Sequence, residues 1–188
     1  PRTVLMLDTI VPAERHVDVT LLYQTAHLKD IAAGEDMSRI TKGGNTLFFK
    51  HMYPEHIKAV SVETPHYLYT LQREKPLVKE GMLTVTARTD GVPLVMANAL
   101  TTTTGADPDI TTEKGDGYIK GMSGGTPFAF STRPGMLYNT GEFATDAAAV
   151  TWKDAAVFAA LCTTLSRNGN LLVKSAEPMT CEVSAKGF

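Results

Sequence analysis

Ser123 lies in the run Gly121-Met122-Ser123-Gly124-Gly125. A serine among glycines can serve as a nucleophile, because glycine lets backbone N–H groups turn toward an oxyanion forming on a substrate. Such a serine needs a base to take its proton. His27, at the close of an apolar run ending Thr25-Ala26, is the candidate, and all five histidines precede Ser123. The third member of a triad has no clear carrier. No aspartate lies in an apolar strand between His27 and Ser123, and Asp36, Glu63 and Glu74 are the acids on offer.

Other residue groupings support weaker chemistry. The Pro1 amine could act as a base if burial and nearby cations lowered its pKa. His51, Glu55 and His56 approach a zinc spacing, but Pro54 between them denies the pair a shared helical face, so they read as solvated turn residues. Asp107, Asp109, Glu113 and Asp116 could gather around calcium but lack EF-hand order, and the alternative is a solvated turn. Cys162 and Cys181 form no C-x-x-C pair, and neither a P-loop nor a strand-linked G-x-G-x-x-G occurs. No cofactor and no metal is expected. Tyr67, Tyr69, Arg73 and Lys75, with the Thr84, Thr86, Arg88 side of a strand, place aromatics beside cations, as single-stranded RNA recognition requires. The plainer reading of that set is a solvated sheet face.

The elements that would position these residues are mostly strands. Thr3 to Val11, Thr46 to Met52, Lys58 to Glu63, His66 to Gln72 and Met82 to Arg88 have strand patterns, and Val17 to Gln24 reads as strand or weak helix. Thr89-Asp90-Gly91 reads as a hairpin turn, with Val92 to Leu100 returning beside Met82 to Arg88. Ala26 to Ala33 looks helical, and Thr101 to Gly125 reads as a long polar loop. Phe128 to Ser131 and Met136 to Asn139 read as short strands. Thr151 and Asp154 form a capping-box pattern, Arg167-Asn168-Gly169 a stop, and Phe158, Leu161, Cys162 and Leu165 one apolar face between them. The spacing predicts a helix over 151–169, followed by a strand and a tail. With Ala155, Ala156, Ala159 and Ala160 on its other sides, such a helix needs cover from more than one direction. The expected fold is therefore α+β: one β-rich domain over 1–188, mainly antiparallel sheet, with a late C-terminal helix packed at a subunit interface by Trp152, Phe158, Leu161, Cys162 and Leu165.

At 188 residues, 43% hydrophobic and with net charge -2, the chain fits a globular domain with a real core and no global attraction to nucleic acid. No apolar run reaches membrane-spanning length, so no membrane partner is expected. The opening Pro1-Arg2-Thr3-Val4-Leu5-Met6-Leu7 is interrupted by Asp8 too early for a signal peptide, which suggests synthesis and initial residence in the cytoplasm.

Three resemblances follow from these residues. Gly121 to Gly125 with His27 resembles the nucleophile loop and base of chymotrypsin-like serine proteases, which implies Ser123 as nucleophile. Pro1 before a strand resembles the tautomerase superfamily, which implies a catalytic N-terminal amine. The opening strand Pro1 to Met6, with Thr145-Asp146 through Ala155 to Leu165, Asn168-Gly169-Asn170-Leu171-Leu172, Ala176 and Pro178, resembles single-stranded RNA phage coat proteins. That likeness implies a helix pair after an antiparallel sheet, dimers interlocked through those helices, a shell of such dimers, and genomic RNA on the inner sheet face. The expected function is thus a self-assembling virion subunit made in a host cytoplasm and carried in the virion. The alternatives are a protease using Ser123 and His27, or a non-viral RNA-binding module.

Overall fold

The computed structural model describes residues 3–25, 27–65 and 79–184. The chain forms two compact units, Pro1–Pro108 and Asp109–Phe188. The described residues are 67% strand and 2% helical, which corrects the α+β expectation: the fold is nearly all β.

Among the described residues the first unit holds eight strands: β1 (Thr3–Ile10), β2 (Asp18–Thr25), β3 (Ile31–Ala32), β4 (Met37–Lys42), β5 (Asn45–Tyr53), β6 (Lys58–Pro65), β7 (Lys79–Arg88) and β8 (Leu94–Thr103). They make a five-stranded antiparallel sheet, β1-β8-β5-β4-β3, and a three-stranded one, β2-β7-β6. Period-two alternation decides the packing. On β7, Leu83, Val85 and Ala87 are buried, while Thr84, Thr86 and Arg88 face the other way. The inward residues of β7 join Phe49, Leu94 and Met96 of the larger sheet in one core cluster, so this unit is a sandwich. Full burial of a side chain such as Leu83 or Val85 contributes about 1.5–3 kcal/mol.

Two expectations change here. The segments flanking Thr89-Asp90-Gly91 are strands, but they do not pair as a hairpin: β7 belongs to the small sheet and β8 lies within the large one. Both carry a fully buried apolar face, and the link over 89–93 lets those faces meet across the core. Thr89 anchors the crossing, its amide donating to the Val17 carbonyl at 2.9 Å. The expected helix near Ala26 to Ala33 reduces to one 3-10 turn, Leu28–Asp30, running into β3. The expected strand over His66 to Gln72 lies outside the described residues.

The second unit holds β9 (Ile110–Lys114), β10 (Tyr118–Ser123), β11 (Thr126–Ser131), β12 (Tyr138–Asn139), β13 (Phe143–Thr145), β14 (Ala149–Lys153), β15 (Ala156–Arg167) and β16 (Asn170–Ser184). They form one sheet in the order β12-β13-β15-β14-β11-β10-β9, with β16 on the free side of β15. Two strands, β9 and β10, therefore occupy much of the expected loop over Thr101 to Gly125. The core of this unit is Phe143, Ala147, Val150, Val157, Ala159, Cys162 and Leu165.

No helix spans 151–169; the end of β14, all of β15 and the two turns that flank β15 do. Asp154, read as part of a cap, has φ +53° and opens the two-residue turn between paired Lys153 and Ala156. Asn168 and Gly169, read as a stop, have φ +49° and +81° between paired Arg167 and Asn170, which is the hairpin turn that Asn-Gly favours. The helix-like spacing of Phe158, Leu161, Cys162 and Leu165 has a strand origin. Val157 and Ala159 alternate inward, an extra residue then bulges the strand before Cys162, and further register shifts follow. The bulge breaks period two and imitates period 3.6.

Asp146 pins this region. Its carboxylate accepts from the Thr163 and Thr164 amides at 2.9 Å each and from the Thr163 hydroxyl. Burial works against its charge, but these hydrogen bonds prevail and hold the carboxyl below its ordinary pKa. On the outer side, β16 runs 15 residues, pairs only with β15 among the described residues, and carries Pro178 where its register slips.

Candidate functional site

The expected interface residues separate into two groups. Cys162 and Leu165 are fully buried in the second unit's own core, and Trp152 packs partly buried on Phe143, ring centroids 4.8 Å apart. Phe158 and Leu161 point out of that core, 44% and 60% exposed. Leu171 and Met179 on β16 are exposed as well. Sequence reasoning thus found an apolar segment but gave it the wrong geometry, so only part of the set remains available to a partner.

Leu161 is unusual in its backbone too. Its φ is +54° at the β15 bulge, and its amide donates to the Thr180 hydroxyl at 3.2 Å. The left-handed region costs a non-glycine residue about 1–2 kcal/mol. Here the cost is borne by a large apolar residue whose side chain stays mostly outside the fold.

Ser123 closes β10 and is itself buried, 8% exposed. Gly124 and Gly125, at φ +53° and +78°, make the two-residue turn to Thr126. Gly121 also has a packing reason: a Cβ there would stand 2.2 Å from the Thr111 carbonyl oxygen and 2.6 Å from the Phe128 ring. A tight hairpin accounts for the glycines of the expected nucleophile loop. His27 belongs to the other unit, and the second unit contains no histidine.

The side chains of Thr84, Thr86 and Arg88 do share the outward face of the small sheet. Their hydrogen-bonding groups are engaged within it. The Arg88 guanidinium donates two bonds to the Asp18 carboxylate, at 2.7 and 3.0 Å, and holds that carboxyl below its ordinary range. Thr86 meets the Thr20 hydroxyl at 2.9 Å, and Thr84 donates to the Val60 carbonyl at 3.1 Å. Tyr67, Tyr69, Arg73 and Lys75 lie outside the described residues, as does Pro1.

The tightest chemical constellation was missed by sequence reasoning. Ser38 on β4, His51 on β5 and Asn98 on β8 form a relay on the inner face of the large sheet. Ser38 Oγ lies 2.9 Å from His51 Nε2, and His51 Nδ1 lies 2.7 Å from Asn98 Oδ1. These are the contacts of a nucleophile, a base and the group that orients it. Burial decides otherwise: Ser38 is 0% exposed, His51 7% and Asn98 2%, so no substrate reaches the hydroxyl. Gly34 encloses it further, its amide and carbonyl each 3.2 Å from Ser38 Oγ. The available signal was alternation. Leu47, Phe49 and His51 take successive inward positions, so His51 is a core residue rather than a solvated ligand.

Burial lowers the His51 pKa below its ordinary 6.5; Asn98 and Asp36 oppose this, and Lys50 reinforces it. Lys50 and Asp36 are themselves ion-paired. Between the folded pKa and 6.5, the unfolded chain binds a proton that the fold refuses. Stability is therefore expected to be full above pH 6.5 and to decline below it, by at most about 1.4 kcal/mol per pH unit from this residue. Urea midpoints measured by circular dichroism at pH 7.5 and 5.5 check this, and a His51→Gln protein should lose this component of the decline.

No protein-family model matches this chain, and no curated protein does.

The remaining features add little chemistry. Glu113 pairs with Lys120 at 3.2 Å and Asp116 with Arg133 at 3.1 Å, and among the described residues no three histidine, cysteine or acidic side chains gather as metal ligands. A cleft of about 300 Å³ in the first unit is lined by Ala32, Ala33, Met37, Arg39, Phe48 and Asp107, with no nucleophile. Among the described residues no helix is long and apolar enough to cross a membrane.

Proposed function

We propose that this chain is a structural module that works by self-association, and that the β15–β16 hairpin is the surface it uses. The observation that carries the reading is Leu161, a strained, 60% exposed leucine. Its left-handed backbone lets β15 bulge so that Cys162 returns to the core, and leaves the leucine side chain outside, where an apolar contact with a second copy would bury it. Phe158 on β15 and Leu171 on β16, 44% and 56% exposed, extend the apolar character of the hairpin. A virion coat subunit, with copies joined into a shell, is the form of this proposal named by the sequence resemblance. It now rests on the hairpin, because the residues that carried the resemblance form strands. Genomic RNA is the less supported part: neither unit has an excess of basic residues, and Arg88 is engaged by Asp18.

The test is solution mass by size-exclusion chromatography with light scattering, with absorbance at two wavelengths to detect nucleic acid. Wild type is expected as a defined oligomer, and a particle carrying nucleic acid would be the shell. Leu161→Asn should shift the mass toward monomer while leaving the circular dichroism unchanged, since asparagine accepts positive φ better than leucine. A monomeric wild type, or an oligomer indifferent to Leu161→Asn, would sink the proposal.

A further inference from the structure

The chain has two cysteines, Cys162 and Cys181, and both thiols are free. They stand on the paired strands β15 and β16. Ala159 is opposite Cys181 and Cys162 opposite Met179, with the bulge between. The thiols thus take diagonal positions on one face of the paired strands, with the extra residue of the bulge between them. Cys162 is fully buried in the core of its unit, and Cys181, partly buried, packs against that core from the outer strand. Burial, and then the charge and hydrogen bonding of Cys181, push the Cys162 thiol up to about 11. The two thiols therefore share one face of the paired strands, Cys162 within the core and Cys181 packed on that core from β16, one screened from solvent and one partly exposed.

We propose that Cys162 and Cys181 are a reversible redox site, closing to a disulfide that staples β16 to β15 when a small-molecule disulfide of the glutathione type supplies the oxidising equivalents. Cys181 reacts first because it is the accessible thiol. It gives its proton to solvent, and its thiolate attacks one sulfur of the reagent. The reagent's S–S bond breaks and one small thiol leaves, taking up a proton. Cys162 then gives its proton to solvent and attacks Cys181 Sγ. The mixed disulfide breaks, and the second small thiol leaves with a proton. Two protein thiols have been oxidised by two electrons, and one reagent disulfide has been reduced to two thiols. The buried Cys162 makes the second step the slow one, so closure accelerates as pH rises toward the Cys162 pKa.

The experiment incubates the native full chain with oxidised glutathione, quenches with acid, and reads intact mass, thiol alkylation and peptide maps. The expected product has lost both alkylatable thiols, is lighter by two hydrogen atoms, yields a Cys162–Cys181 linked peptide, and returns to the dithiol on reduction. Cys162→Ser should stop at a single glutathione adduct on Cys181. Should that buried substitution fail to fold, Cys181→Ser provides the second arm, in which Cys162 stays unmodified over the same interval. Wild type that halts at the adduct, keeps both thiols alkylatable, or links two chains instead overturns the assignment. Rapid modification of Cys162 in Cys181→Ser overturns the proposed order of attack.

Discussion

Phe143→Ala is expected to destabilise the second unit by about 3–5 kcal/mol, as large-to-small changes of a buried aromatic do. Phe143 is 1% exposed and stands at the centre of its core cluster, beside Val150, Val157 and Leu165. Its ring supports Trp152, and the Arg167 guanidinium carbon lies 5.5 Å from its centroid. That arginine also binds Glu142 at 2.7 Å and the Asp154 carbonyl at 2.9 Å, at the turn opening β15. Removing the ring therefore leaves a cavity, loosens the indole and deprives the cation of its cover. Trp152 is the only tryptophan, so its fluorescence during urea unfolding reports on this unit. A loss below about 1 kcal/mol would mean that neighbouring side chains fill the space, contrary to the strand-anchored packing.

His51→Ala should cost the first unit about 3–5 kcal/mol, for a different reason. Deleting the imidazole removes buried volume, leaves Asn98 Oδ1 without its partner in an enclosed space, and leaves Ser38 Oγ with Gly34 alone. Each stranded polar group costs about 1–3 kcal/mol. Asn98 already has a buried amide nitrogen without a partner, so it has little room to compensate. Ser38→Ala should be milder, and the double variant should cost clearly less than the sum of the two, since the His51 Nε2 that Ser38→Ala alone strands is absent from it. Chemical unfolding followed by circular dichroism provides the comparison. Additivity within about 0.5 kcal/mol would show that the three residues do not act as one network.

Much of the first unit was legible because its strands are short apolar and β-branched runs bounded by turn residues, with clean alternation on β7. The expected strands Thr3 to Val11, Thr46 to Met52 and Met82 to Arg88 correspond to β1, β5 and β7, and the shared face expected for Leu83, Val85 and Ala87 is the buried one. Sheet membership was not legible, because a turn signal such as Asp90-Gly91 is equally compatible with a hairpin and with a crossing between sheets. The second unit misled through its bulge. One extra residue at Leu161 converts a strand's period into a helix's, and Asn168-Gly169 suits a hairpin as well as a helix end. The site followed the same logic. His51 and Asn98 are 47 positions apart, and only the β5–β8 register brings them together. Ser123 stood out because serine between glycines is conspicuous, yet those glycines serve the shape of the turn.

Pro178 has a consequence at the scale of many molecules. A fibril grows when each added chain finds an unbroken row of donors and acceptors in register with the last one. Along β16 that row lacks a donor at Pro178, and the register slips flank it, so a strand arriving at this edge finds only short matching stretches. Copies that meet through the outward leucine and phenylalanine can therefore associate face to face while thread-like growth along the same strand stops early. Under the proposed self-association, the apolar surface and the hydrogen-bonding rim of one hairpin carry opposite instructions, which would favour a closed assembly over an endless one.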